Sequence, residues 1–184
     1  MKQLIFLWGL LILLAGCAGA PSEPEVPEIQ PVNQGMACAA ASQIMESFVD
    51  GPTAPIVYPE EYGGGYIAED FYLYICLTDN SAQMREKYRS IVEAPEILRF
   101  TEVNYSLNDL RELQDALTDE RWREYGFVGI GVDVTGNQVN VGIEDLSRAE
   151  ELRPLMVDSL SPELRARFPD PPLIFEEMGP IILC

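Results

Sequence analysis

Apolar and polar positions alternate most regularly between Phe71 and Leu77. Phe71, Leu73, Ile75 and Leu77 take turns with Tyr72, Tyr74 and Cys76, and both sets are largely apolar. Such a run predicts a strand at the centre of a sheet, buried on both faces. Ahead of it, Gly63-Gly64-Gly65, a short strand over Tyr66–Ala68 and a Glu69-Asp70 turn complete a hairpin. Behind it, Thr78-Asp79-Asn80-Ser81 caps a helix whose stripe is Met84, Tyr88 and Ile91. Pro95 stops that helix, and Leu98–Tyr105 follows as a strand.

The same order returns in the second half. Val128, Ile130 and Val132 alternate with glycine, Thr135-Gly136-Asn137 makes a tight turn, and Gln138–Ile143 alternates polar residues with Val139, Val141 and Ile143. Glu144-Asp145-Leu146-Ser147 opens a helical stretch that Pro154 interrupts and Ser161-Pro162-Glu163 restarts; Leu173–Glu176 closes the unit as a strand. Between the halves, Ser106 with Asp109 forms a capping box for a linking helix. Its stripe is Leu110, Leu113 and Leu117, and Gly126 ends it. Ahead of everything, Ala37, Ala40, Ala41, Ile44 and Phe48 mark an amphipathic helix ended by Asp50-Gly51-Pro52. The expected fold class is α+β: two ββαβ units, a pseudo-repeat with halves of about 35–105 and 127–184. A linking helix joins them, an N-terminal amphipathic helix precedes them, and 35–184 forms a single domain.

The first residues follow another rule. Met1-Lys2 precedes an apolar run from Leu4 to Leu14. As a helix that run reaches only about 16 Å, against a hydrocarbon core of roughly 30 Å, so it reads as a secretory signal peptide over 1–16. Leu14-Ala15-Gly16-Cys17 resembles the lipobox of bacterial lipoproteins. That resemblance implies cleavage before Cys17, acylation of its thiol by palmitate-like chains, and residence on the extracytoplasmic side of a cell membrane. Several acyl chains on one cysteine exceed what stable anchoring requires. From Ala18 to Gln34, Pro21, Pro24, Pro27 and Pro31 are interleaved with Glu23, Glu25 and Glu28, the composition of an extended tether.

Charge narrows the partners. Acidic residues outnumber basic ones 30 to 12, a formal net charge of −18. Such a surface repels phosphate backbones and argues against nucleic acid as a partner. The chain contains no histidine, which removes Ser-His-Asp and Cys-His catalysis and every imidazole zinc site. No glycine-rich phosphate loop appears, and Gly63-Gly64-Gly65 reads as a flexible lead into the hairpin. No metal, catalytic residue or cofactor is expected. The doublets Glu60-Glu61, Glu69-Asp70, Asp119-Glu120, Glu150-Glu151 and Glu176-Glu177 cannot each face one site, because neighbours diverge in strands and helices alike. Asp133 to Asn137 lacks the ligand spacing of a calcium loop and reads as a hairpin turn. With Cys17 acylated, Cys38, Cys76 and Cys184 leave either one disulfide plus a free thiol or none. Cys76 reads as a core residue, and Cys38 with Cys184 is the pair to expect if one forms.

Tyr58, Tyr62, Tyr66, Phe71, Tyr72 and Tyr74 crowd into seventeen residues. Phe71 is expected in the core. Tyr62, Tyr66 and Tyr72 have two uses open to them, core packing or an outward recognition patch. Ile181, Ile182 and Leu183, ahead of Cys184, likewise form either a last strand or an apolar tail offered to a partner.

Tyr62-Gly63-Gly64-Gly65-Tyr66-Ile67, running into Leu77-Thr78-Asp79, resembles the prodomains of bacterial chymotrypsin-like serine proteases of the alpha-lytic type. Tyr105-Ser106-Leu107-Asn108-Asp109-Leu110, Gly131-Val132-Asp133 and Asn137-Gln138-Val139 continue the likeness over roughly residues 60–177. It implies a two-part α+β fold that binds a protease, assists its folding and occupies its active site, with the C-terminal residues directed at the protease. Where the prodomain family carries a cleavable protease, the expectation for this chain is a lipid anchor instead. The leading expectation is therefore not an enzyme but a lipid-anchored, protein-binding domain outside the cytoplasm. It would serve as a stand-alone inhibitor or folding assistant for a secreted serine protease, or bind another envelope protein. The alternative is a structural or solute-binding envelope lipoprotein with a small-ligand pocket among the Tyr58–Tyr74 aromatics. A carboxylate-dependent hydrolase is the third reading and requires two acids converging in a cleft.

Overall fold

A computed structural model describes residues 31–51 and 54–179, leaving aside the side chains of 31–33. The order is α1 (Pro31–Ser47), β1 (Tyr62–Ile67), β2 (Leu73–Leu77), α2 (Ala82–Arg89), β3 (Leu98–Glu102), α3 (Leu107–Leu117), β4 (Phe127–Asp133), β5 (Gln138–Ile143), α4 (Ala149–Ser159), α5 (Pro162–Arg167) and β6 (Leu173–Glu177). Two three-stranded sheets result, ordered β1-β2-β3 and β4-β5-β6. In each, the first pair is antiparallel and the second parallel. This is the α+β arrangement of two ββαβ units that the alternation predicts, with α3 as the link and α1 ahead of both.

The repeat extends to register. Tyr62 lies opposite Leu77 and Phe127 opposite Ile143; the register then shifts, pairing Gly64 with Cys76 and Gly129 with Gly142. Leu73 pairs with Leu98 as Val139 pairs with Leu173. On the inner face of the first sheet, Leu73, Ile75 and Leu77 are buried together with Ala37, Ala40 and Ile44 of α1 and Phe48 just beyond its end. On the second, Val139, Val141 and Ile143 meet Leu110, Leu113 and Leu117 of α3 and Leu152 and Met156 of α4. Each fully buried aliphatic side chain contributes about 1.5–3 kcal/mol relative to exposure, so these two clusters are what hold the units together. Helix starts are equally local. Ser106 accepts from the Asp109 amide while Asp109 accepts from the Ser106 amide, a complete capping box, and Ser81 and Ser161 cap α2 and α5.

Four local readings change. Helix α1 begins at Pro31, inside the stretch read as tether, because proline fits the first helical turn, where its missing N–H is not needed. Phe71 is not a strand residue: it adopts φ 61° in the 68–72 turn, where its amide donates to the Ala68 carbonyl at 2.9 Å, and it is half-exposed. Helix α3 stops at Leu117, and Asp119 then caps a separate 3-10 turn over Glu120–Tyr125 that Gly126 ends with φ 79°. The Trp122 indole, buried in that turn, donates to the Leu117 carbonyl and seals the break. Pro154 does not interrupt α4; its ring lies on the exposed face between buried Leu152 and Met156, so the backbone acceptor it leaves unbonded faces solvent.

Candidate functional site

The aromatic cluster divides between two faces. Tyr62 is 5% exposed and sits in the first core. Its ring stacks on Tyr58 and Tyr88 and meets Phe48 edge-on at 4.9 Å. The register shift at the head of β1 turns Tyr62 inward, so it is removed from the expected recognition patch. Burial pushes its hydroxyl up to about 12. Tyr58, partly buried, packs against the same core. Tyr66 and Tyr72 stay half-exposed on the outer side of the first unit. Tyr66 stacks on Tyr74 at 5.2 Å, and the Arg99 guanidinium lies 3.6 Å over the Tyr72 ring. The aromatic surface is thus Tyr66, Tyr72 and Tyr74.

At one corner of that outer face, the second unit closes the surface. The β4–β5 turn carries Val134 over the Gly64–Cys76 pair, with the Cys76 thiol 4.0 Å from the Val134 carbonyl. A Cβ on Gly64 would come 2.5 Å from a Val134 methyl, and φ there is +115°. Gly64 is therefore needed for close approach between the units, while Gly63 and Gly65 lie against Val103 and Tyr62, so the triplet is packed rather than a flexible lead. Asn137 fixes the turn in place. Its side-chain oxygen accepts from the Asn104 and Tyr105 amides, and its NH₂ donates to the Tyr105 carbonyl at 2.8 Å. Asp133 accepts from the Thr135 and Gly136 amides, which makes this run a hairpin turn, as its spacing predicts.

The outer face of the second sheet is different. Register places Gly129, Gly131 and Asp133 on β4 beside Gln138, Asn140 and Gly142 on β5, with Ile174 and Glu176 on β6. A trough of about 680 Å³ runs over it, floored by Gly129, Gly131 and Gly142 and walled by Asp133, Glu176 and Met178. The sheet's polar groups form a ladder: Gln138 donates to Asp133 and to Asn140, and Asn140 donates to Glu176 at 2.8 Å. Asp133 and Glu176 are thereby tied into hydrogen bonds of the sheet itself, a structural use of both carboxylates. Glycine at every second position of β4 was the sequence signal for this surface, since it strips side chains from one face only.

Of the other predicted residues, Cys17, Ile181, Ile182, Leu183 and Cys184 lie outside the described residues. Cys38 is exposed on α1, Cys76 is buried in β2, and the two are not bonded to each other. Burial pushes the Cys76 thiol up to about 11. Among the described residues no three His, Cys, Asp or Glu side chains gather as a metal site, and no helix is long and apolar enough to cross a membrane.

Part of the chain is similar to a known family. The model of the Pro-like N-terminal domain family matches residues 25–100, which take in α1 and the first unit as far as Phe100 of β3. The match fits a protease prodomain-like fold. No curated protein matches the chain.

Proposed function

We propose that this chain is a protease prodomain-like binding protein that engages a secreted chymotrypsin-like serine protease as inhibitor or folding assistant. The reading includes an anchor, lipid on Cys17 at the outer face of a membrane, and a partner-directed tail at Ile181, Ile182 and Leu183. The observation that carries it is the match of the Pro-like N-terminal domain family to residues 25–100, within a fold built from two ββαβ units. A binding role also suits the site: what the molecule offers is an open sheet face, an aromatic face and an acidic surface.

The test uses the full chain, purified in mild detergent, and a chymotrypsin-like protease secreted by the same host. Peptide hydrolysis should fall as the chain is added in equimolar amount, or the denatured protease should recover activity faster in its presence. Full activity at a large excess, together with unchanged refolding, would sink the reading. Deleting residues 181–184 should abolish the effect, and Cys17→Ala should release the protein from membranes without altering inhibition in solution.

A further inference from the structure

The two units share one backbone plan, yet their outer corners are covered differently, and only the second leaves glycines of its first strand, Gly129 and Gly131, open. In the first unit the Gly64–Cys76 corner receives the Val134 side chain from a turn of another segment. The matching corner of the second unit, Gly129–Gly142, receives only Met178, from the end of its own sheet. A Cβ on Gly129 or Gly131 would meet nothing within 4 Å. Glycine inside a strand weakens the strand and marks a bulge or a place where another backbone approaches closely. At Gly64 the structure shows such an approach. At Gly129 and Gly131 the space for one is present and open.

We infer that the glycine-floored trough on the second sheet is a docking site for a polypeptide segment presenting an aliphatic side chain flanked by basic residues. The first unit shows which group this corner accepts, an isopropyl side chain carried on a turn. Charge supplies the flanks. Asp133 and Glu176 line the trough, no lysine or arginine does, and neither carboxylate joins an ion pair among the described residues. A second copy of this chain fits poorly, because two faces with the same carboxylates and a net charge of −18 each would meet. The uncharged tail Ile181–Leu183 brings no cation to carboxylates that have amide partners but no ion pair. The inference rests on the binding reading above only in taking the occupant to be polypeptide.

The test is a set of nine-residue synthetic peptides added to the full chain without any protease. One carries a central valine with lysine two positions away on either side; its counterparts replace lysine by glutamate or valine by glycine. The lysine-flanked valine peptide should bind and shift the Gly129, Gly131 and Gly142 amide resonances, and the counterparts should bind at least tenfold more weakly. Gly129→Val fills the trough with a residue suited to strands, so it should keep the fold, raise or hold the unfolding midpoint, and weaken the peptide at least tenfold. Glu176→Gln should lower affinity and reduce its salt dependence. Resonance shifts confined to other regions, equal binding of the glutamate peptide, no binding at all, or full affinity in Gly129→Val would each overturn the inference. Binding only after residues 180–184 are deleted would overturn it in favour of the tail as occupant. A dimer that Gly129→Val disperses would overturn it in favour of a second copy. Protease inhibition without binding of the valine peptide leaves the proposed function standing while this site falls, and peptide binding without any effect on a protease does the reverse.

Discussion

The outer faces of the two sheets differ far more than the inner ones. Inward, both units present the same aliphatic alternation, Leu73-Ile75-Leu77 in one and Val139-Val141-Ile143 in the other, each against an amphipathic helix. Outward, the first unit carries the Tyr66–Tyr74 stack, Tyr72 under Arg99, and a corner capped by Val134. The second carries glycines, amides and carboxylates around an open trough. Core packing constrains one face of each sheet and leaves the other free, so the repeat is strict where burial demands it and diverges where it does not.

The largest effect should come from putting the same side chain at the two matching glycines. Gly64→Val places a β-branched residue at φ +115° and drives its Cβ to 2.5 Å from Val134. Strain and overpacking at such a site cost about 3–5 kcal/mol in all. Gly129→Val meets nothing within 4 Å and no left-handed backbone. It should leave stability unchanged or raise it by about 0.5–1 kcal/mol, the strand penalty of glycine being relieved. Urea unfolding of the two variants side by side measures the difference. Equal destabilisation would mean that the two corners are not filled and open as described.

Asn137 is the next place to separate the units. It makes three hydrogen bonds to residues 104 and 105 and adopts φ 52°, so it joins the second unit's turn to the segment leaving the first. Asn137→Ala loses the bonds and keeps the strained backbone, for about 2–3 kcal/mol. Asn137→Gly loses the bonds but relieves the backbone, for about 1–2 kcal/mol. Both should speed hydrogen exchange at the Tyr105 amide. If glycine restores full stability, the bonds contribute little and the turn is held by Val134 alone.

The inner faces were legible because they depend on period alone. The Leu110, Leu113 and Leu117 stripe, the β5 alternation and the Ser106–Asp109 box each declare themselves within a dozen residues. The outer faces depend on neighbours distant in sequence. Whether Tyr62 faces in or out follows from the register shift before Gly64, which in turn accommodates Val134 seventy residues later. Phe71 looked like a core residue in phase with Leu73, yet the Asp70 turn, in which the Asp70 carboxylate accepts from the Tyr72 amide, breaks the phase one residue after it. The glycine alternation of β4 was visible from the start. That it floors a trough was not, because nothing in β4 says which segments stay away.

Val134 itself offers a smaller test of the same contrast. Val134→Ala removes two methyls from a half-buried contact and should cost about 1 kcal/mol. It should also uncover Cys76, a residue 1% exposed whose thiol is pushed by burial up to about 11. In a Cys38→Ser background, a thiol reagent at pH 8 should then react measurably faster at Cys76. An unchanged rate would mean that local opening of the first sheet, and not the Val134 cover, governs access to that thiol.

The smallest effect separates the units by acid. Just before β1 stands Glu61; in the second unit Gly126 holds the matching place, since the Thr78 amide donates to the Glu61 carbonyl as the Glu144 amide donates to that of Gly126. Burial alone would raise the Glu61 carboxyl, but Lys87, bonded to it at 2.5 Å, and the Tyr88 hydroxyl outweigh that and hold it below its ordinary range. A carboxyl with a lower folded than unfolded pKa stabilises the fold fully above the unfolded value and loses that contribution as pH falls through the folded one. Unfolding free energies of the wild type and Glu61→Gln should therefore differ most near pH 6 and converge as pH falls below the ordinary glutamate range, about 4.3. Lys87 is half-exposed, so the difference should also shrink in salt. With no titrating side chain at Gly126, the acid-dependent rise in hydrogen exchange should be stronger in β2 than in β5. A gap between the two proteins that stays constant from pH 6 to pH 3 would show that Glu61 acts by packing, and the charged corner would cease to distinguish the first unit from the second.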